Sequence, residues 1–288
     1  MKTYRPHIHI ILLDSGLGNQ MFCYAYFLSV KENTPFCLFL FDSNSHIYGH
    51  YGLEIFKELH CRGQWRWYLF RLLNKTIPNF LEHFEKIKQK NALAYEPIDF
   101  SSINDNTYHI GFHQSEKYFK SIGNKVRHHF RFRNDKINEH SKRMVAELKS
   151  CNSIAIHIRR GDYLEQFAEN MCTIDYYKKA FDYINQRVDT PQYYFFSDDI
   201  KWCKEAFGIQ DNYHFIDFNQ GSDSWQDMYL MTNCKHNIIA NSSFSWWGAW
   251  LNNNKDKIVV APNPWFRTWS KNSSFDAIPD SWVKIDNI

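Results

Sequence analysis

No aspartate in this 288-residue chain is followed two positions later by another, so the D-x-D pair that commonly holds a divalent cation is missing. No spacing of His, Cys and Glu has the rhythm of a metal site either. A nucleophile-elbow G-x-S-x-G and a P-loop lysine motif are also missing, which argues against serine hydrolases and P-loop NTPases. The seven cysteines form an odd set without a C-x-x-C pair, so neither a disulfide framework nor a thiol redox motif is expected. No apolar run approaches twenty residues and the start does not read as a charged-then-apolar leader, so the expectation is a cytoplasmic protein, peripheral to a membrane at most. Only 11 glycines and 8 prolines occur, and no low-complexity tract or internal repeat is visible. Charge of one sign is scarce too: 34 Lys and Arg against 31 Asp and Glu leave +3, without the basic stripe of a nucleic-acid binder.

Apolar and aromatic residues are plentiful, at 44% and 18% of the chain. That is enough for a real core, and rings serve packing and sugar stacking equally well. Three N-x-S/T triplets, at Asn74, Asn241 and Asn272, are read as chance matches in a cytoplasmic chain. HIHIILL, from His7, reads as a buried strand ending in a glycine turn, followed by a helix over about 20–31. FCLFLFD reads as a second strand, and 55–96 as helical. From Ser153 onward SIAIHI, QYYFFS, YHFID, HNIIA and KIVVA alternate with helical stretches, the pattern of a parallel, helix-flanked sheet. The basic segment from Lys125 to Lys142 is a candidate domain junction. Two doubly wound α/β domains facing a cleft are therefore expected, with ligands beyond the carboxyl ends of the strands.

The motifs fall at those ends. In GLGNQ, Gly16 and Gly18 bracket a turn whose backbone N–H groups suit an anion or a sugar, with Asn19 and Gln20 as further donors; a plain tight turn explains the glycines equally. In HIRRGDY the strand alternation points His157 and Arg159 the same way. Arg159 either forks onto a diphosphate or pairs with Asp162 across domains. FFSDD ends a strand in Ser197, Asp198 and Asp199, which suit N-capping and recognition of a base or ribose alike. In ANSSFSWWGAW, Asn241, Ser242 and Ser243 open a helix whose free N–H groups favour phosphate, again with capping as the plain alternative. The aromatics that follow are expected to pack, with one facing the cleft.

Together, GLGNQMFCYA, HIRRGDY, FFSDD and NSSFSWWGAWL, in this order, resemble the bacterial α1,2-fucosyltransferases of glycosyltransferase family 11. GFHQSEKYF and DSWVKID extend the likeness along nearly the whole chain. The resemblance implies a GT-B fold of two Rossmann-like domains, here an acceptor-side domain over 1–135 and a GDP-fucose-binding domain over 136–288 whose C-terminal tail packs back on the first. It implies inverting transfer of L-fucose from GDP-fucose to the 2-hydroxyl of a terminal β-galactoside, without metal or other cofactor. Lipid-linked surface-glycan precursors such as O-antigen are among the acceptors it suggests.

By position, the resemblance makes Arg159 the pyrophosphate contact, with Arg160 beside it. His157 and one of Asp198 or Asp199 become the guanine contacts, Ser242 and Ser243 the phosphate-binding helix start. Gly16, Gly18, Asn19 and Gln20 form a cleft loop, and His113 and Gln114 lie on the acceptor side, His113 standing where relatives carry an aromatic residue. Asp14, Asp162, Glu165 and His113 are candidates for a general base. A fucosyltransferase of other linkage or acceptor and a noncatalytic sugar-binding protein are the alternatives.

Overall fold

The computed structural model describes residues 7–34, 36–41, 50–59, 63–77, 79–91, 93–103, 105–268 and 276–288. Asn272 therefore lies outside the described residues, and Asn241 is buried. The chain forms two compact units: Met1–Arg133 with Ser273–Ala277, and Asn134–Asn272 with Ile278–Ile288.

The first unit runs β1 (His9–Leu13), α1 (Leu17–Asn33), β2 (Cys37–Phe41), α2 (Gly63–Thr76), β3 (Glu85–Lys88), β4 (Thr107–Ile110) and α3 (Gly123–His129). Its four-stranded sheet has the order β2-β1-β4-β3, and all the pairings are parallel. HIILL and CLFLF are buried almost throughout, as strands sandwiched between helices must be. Helix α1 stops at Thr34, whose φ of −138° and ψ of 122° are extended; Pro35 follows it and disfavours helix in its predecessor. The expected long helix over 55–96 is not observed. Among the described residues of that region only α2 is helical at length, and EKIK pairs with β4 as the sheet edge. Lysines are tolerated at an edge because one flank faces water, so no apolar alternation announced the strand.

The second unit runs α4 (Glu139–Ser150), β5 (Asn152–Ile158), α5 (Gly161–Gln166), α6 (Ile174–Asn185), β6 (Pro191–Ser197), α7 (Ile200–Phe207), β7 (Tyr213–Ile216), α8 (Trp225–Asn233), β8 (His236–Ile238), α9 (Ser243–Leu251), β9 (Val259–Asn263) and β10 (Val283–Asp286). Its parallel sheet has the order β10-β9-β8-β5-β6-β7. Both units thus have the expected doubly wound α/β build. In the second, strand order reverses between β5 and β8, and open α/β sheets bind ligands at the carboxyl ends of such a pair.

Alternation along β5 fixes which side chain goes where. Ile154, Ile156 and Ile158 join Tyr176, Tyr177 and Phe181 of α6 on one face. Ala155 joins Leu148 of α4 and Leu230 and Met231 of α8 on the other. Each buried Ile, Leu, Met or Phe side chain here contributes about 1.5–3 kcal/mol relative to exposure. His157 shares the parity of Ala155 and heads for that side, where its ring meets Phe244 of α9; Arg159 follows just beyond the strand's end.

Near the end of the chain Asp276 belongs to the segment that rejoins the first unit. Asp276 donates its N–H to the Leu93 carbonyl (2.8 Å), accepts the Tyr95 N–H on Oδ2 (2.8 Å) and accepts the Ser115 hydroxyl on its carbonyl (2.7 Å). It also pairs with Lys117.

Candidate active site

Beyond the end of β5 stands a clamp of two arginines and three aspartates. Arg159 reaches Asp162 through Nη2 (2.7 Å) and Asp198 through Nη1 (2.9 Å). The Arg160 N–H donates to the other Asp198 oxygen (2.9 Å). Its Nε donates to Asp199 (3.1 Å), and its guanidinium lies 3.9 Å from the centre of the Trp202 ring. Asp199 also caps α7 by accepting the Trp202 N–H, while the Asp199 N–H donates to Ser197. The expected pairing of Arg159 with Asp162 is present, but it lies inside one unit, between residues three apart on the chain.

Gly161 leaves the room that this closeness uses. A Cβ there would come within 2.6 Å of an Asp198 carboxylate oxygen. Neither aspartate expected to read a base is unoccupied: Asp198 orients Arg159, and Asp199 holds Arg160 and caps a helix. Two positive and three negative side chains leave the clamp at −1, so affinity for a diphosphate needs another positive source.

The partial positive charge of a helix start lies at the neighbouring strand end. Ser242 is the N-cap of α9 in extended conformation, and its side chain makes no capping hydrogen bond. The first N–H groups of α9 and the hydroxyls of Ser242 and Ser243 are thus placed for an anion. Asn241 is a different case. Its amide donates to the carbonyls of Asn170 (2.7 Å) and Trp265 (3.0 Å), and its oxygen faces the Cys172 thiol (3.5 Å). It has become scaffold rather than a donor contact, and its own carbonyl accepts the Tyr163 hydroxyl (3.0 Å). Trp246, Trp247 and Trp250 are all buried, which leaves half-buried Phe244, beside His157, as the one of the four expected rings not packed away.

His157 is buried, its ring 5.7 Å from that of Phe244, and its Nδ1 has no hydrogen-bond partner. Burial, reinforced by Arg159, pushes its pKa down to about 3, so the imidazole is neutral and holds an unspent polar atom. On the same face lies a carboxylate that the sequence reading missed. Asp227 of α8 accepts from Asn219 Nδ2 (2.9 Å), and burial raises its pKa to about 7. Beside it the Gln226 Nε2 is buried without a partner, while the Gln226 oxygen accepts the Asn138 N–H (2.9 Å). Helices α4 and α8 both begin at the carboxyl edge of the sheet, so these groups share that edge with His157. In sequence, Asp227 is one acidic residue in an ordinary helix start, with no signal to separate it from the rest.

In the first unit the turn after β1 is made by Ser15, with φ of 67°. Gly16 is the extended N-cap of α1, and Gly18 is buried in its first turn. Asn19 donates to the Ser15 hydroxyl (3.0 Å) and accepts from Gln114 (2.7 Å). The structure therefore brings together Asn19 and Gln114, which follow the adjacent strands β1 and β4. Gln20 is spent internally on the carbonyls of Ser15 and His50 and on the Gly52 N–H. His113 is 2% exposed and stacks on Tyr26 at 3.7 Å. Burial lowers its pKa to about 3, which makes it a weak base, and its ring is a core element rather than an acceptor contact.

Among the described residues, no group of three or more His, Cys, Asp or Glu is arranged to hold a metal ion. Residues 8–286 match the sequence profile of glycosyl transferase family 11. The chain belongs to that family. This family 11 glycosyltransferase is 36% identical to the Escherichia coli alpha-1,2-colitosyltransferase, over 97% of this chain and 99% of that protein. It is 41% identical to the O-antigen biosynthesis glycosyltransferase WbnK of Escherichia coli, over 50% of this chain and 47% of that one. Similarity to the human galactoside alpha-(1,2)-fucosyltransferase 1 is 26% over 49% of this chain and 42% of that protein. The family 11 match spans both units and every motif described above.

Proposed function

We propose that this glycosyltransferase moves L-fucose from GDP-fucose to the 2-hydroxyl of a terminal β-galactoside, with inversion and without a metal ion. The observation that carries the reading is Arg159, fixed by Asp162 and Asp198 after β5, with the uncapped start of α9 following the paired strand β8, at the reversal of strand order. As the bond from fucose to diphosphate lengthens, positive charge spreads over the sugar ring and negative charge grows on the leaving phosphate. A guanidinium and helix N–H groups already in place stabilise that growing charge more than the ground state, which is what raises the rate. We assign guanine to the carboxyl edge of the sheet that neutral His157, Gln226 and Asp227 share: a carboxylate accepts the two N–H groups that guanine presents side by side.

Inversion requires the galactoside hydroxyl to attack opposite the departing GDP while a base takes its proton. His113 is buried and weakly basic, and Asp162 is committed to Arg159, which leaves Asp14 and Glu165 of the four candidates. A surface-glycan precursor, lipid-linked in the cytoplasm, is the acceptor class that fits the O-antigen relative. The test is incubation with GDP-fucose and a panel of β-galactosides in EDTA, with GDP release and the product linkage by NMR as readouts. Absence of fucosylated product across the panel would refute the proposal.

A second reading is colitosyl transfer, favoured by the relative that is 36% identical over 97% of the chain. Colitose is L-fucose without its 3-hydroxyl. A site that hydrogen-bonds that hydroxyl rejects the deoxy donor by about 10⁴-fold, whereas a site without such a partner discriminates little. The ratio of kcat/KM for the two GDP-sugars separates the readings.

A further inference from the structure

Helix α2 has two faces of contrasting use. Leu69 and Leu73, four residues apart, pack on the cluster of Ile10, Leu40 and Phe80. Trp65, Tyr68 and Leu72, at spacings of three and four, form an outward stripe and are 49%, 63% and 57% exposed. At 3.6 residues per turn these three fall within about 60° of one another, and Arg71 and Lys75 border them on the side away from Leu69 and Leu73. Both basic residues are exposed. From 61 to 81 the sequence holds three arginines and one lysine but no Asp or Glu. Elsewhere the chain nearly balances its charges, so this run is a local departure.

We infer that the outer face of α2 docks on an anionic lipid surface. A face combining Trp, Tyr and Leu with flanking cations has the composition of a helix lying in the membrane interface: amphipathic rings settle at headgroup level and the cations meet acidic headgroups. A protein partner would more commonly meet a mixed-charge rim, whereas the described charged residues of α2 that border this stripe, Arg71 and Lys75, are both cations. No helix among the described residues is long and apolar enough to cross a membrane, so the contact is interfacial. It would hold a transferase near acceptors carried on lipid. That benefit rests on the proposed acceptor class, but the docking itself does not.

The test is sedimentation with vesicles of phosphatidylglycerol and phosphatidylethanolamine, compared with phosphatidylcholine alone, and it needs no turnover. The wild-type chain is expected to sediment with the anionic vesicles and to be released by salt. Each basic residue near such a surface contributes a factor of about five, so Arg71→Glu with Lys75→Glu lowers partitioning by about 25-fold or more. Trp65→Ser, Tyr68→Ser and Leu72→Ser together abolish it, with circular dichroism unchanged because about half or more of each residue is already exposed. Failure of the wild type to bind, or unchanged binding by both variants, overturns the inference. So does light scattering that shows a wild-type dimer made monomeric by the triple substitution, which would assign the face to a second copy.

Discussion

Gly161→Ala should separate catalysis from stability. The added Cβ would sit 2.6 Å from Asp198 Oδ2, about 0.8 Å inside ordinary van der Waals contact. Because the clash is with the end of a side chain, the carboxylate moves rather than the backbone. A shift of that size stretches the 2.9 Å contacts to Arg159 Nη1 and to the Arg160 N–H toward 3.7 Å, beyond hydrogen-bonding distance. Fold stability changes little, because Gly161 opens a helix and alanine is the better helix former by about 1 kcal/mol. Catalysis suffers more: misplacing a charge-stabilising group by about 1 Å costs on the order of 100-fold. The assay is kcat with saturating donor beside the thermal midpoint, in wild-type and Asp198→Ala backgrounds. If the effect runs through Asp198, Gly161→Ala adds nothing once that carboxylate is gone. An undiminished loss in the Asp198→Ala background, or a single variant within twofold of wild type, would refute the reasoning.

Arg159→Ala should reduce turnover by at least about 100-fold with the circular dichroism spectrum intact; retained activity would remove Arg159 from the mechanism. In the proposed guanine site Asp227 acts as a carboxylate, and its pKa is raised to about 7, so the donor Kd should rise about tenfold per pH unit below 7. Asp227→Asn should weaken donor binding and flatten that slope, and calorimetric titration between pH 6 and 8 checks both. His109 and His113 are buried neutral in the first unit with pKa values near 3, mainly through desolvation. The unfolded chain binds their protons first, so their stabilisation is complete above pH 6.5 and falls by about 1.4 kcal/mol per unit for each as pH drops toward 3. Thermal midpoints that stay flat from pH 7 to 5 would contradict this.

The strands of the second unit were legible because each is a short apolar run bounded by polar helices, and the positions of Arg159, Asp198 and Ser242 at their ends follow from that punctuation. The edge strand β3 was not, because its lysines satisfy water on the open flank and leave no apolar alternation. Side-chain allegiance was the harder matter. Asn241, Gln20 and His113 have polar groups that read as ligand contacts in one dimension, but buried carbonyls and rings lie nearer to each of them. Asp227 was invisible for the converse reason: only helix packing strips its water and makes it unlike the other acids.

The return of Asp276 to the first unit sets a schedule for synthesis. Leu93, Tyr95, Ser115 and Lys117 leave the ribosome long before the residue that ties them together. The unit that begins the chain is therefore among the last to be finished, closing only when all but the final dozen residues have been made. A chain cut after Arg133 would carry that half without its latch.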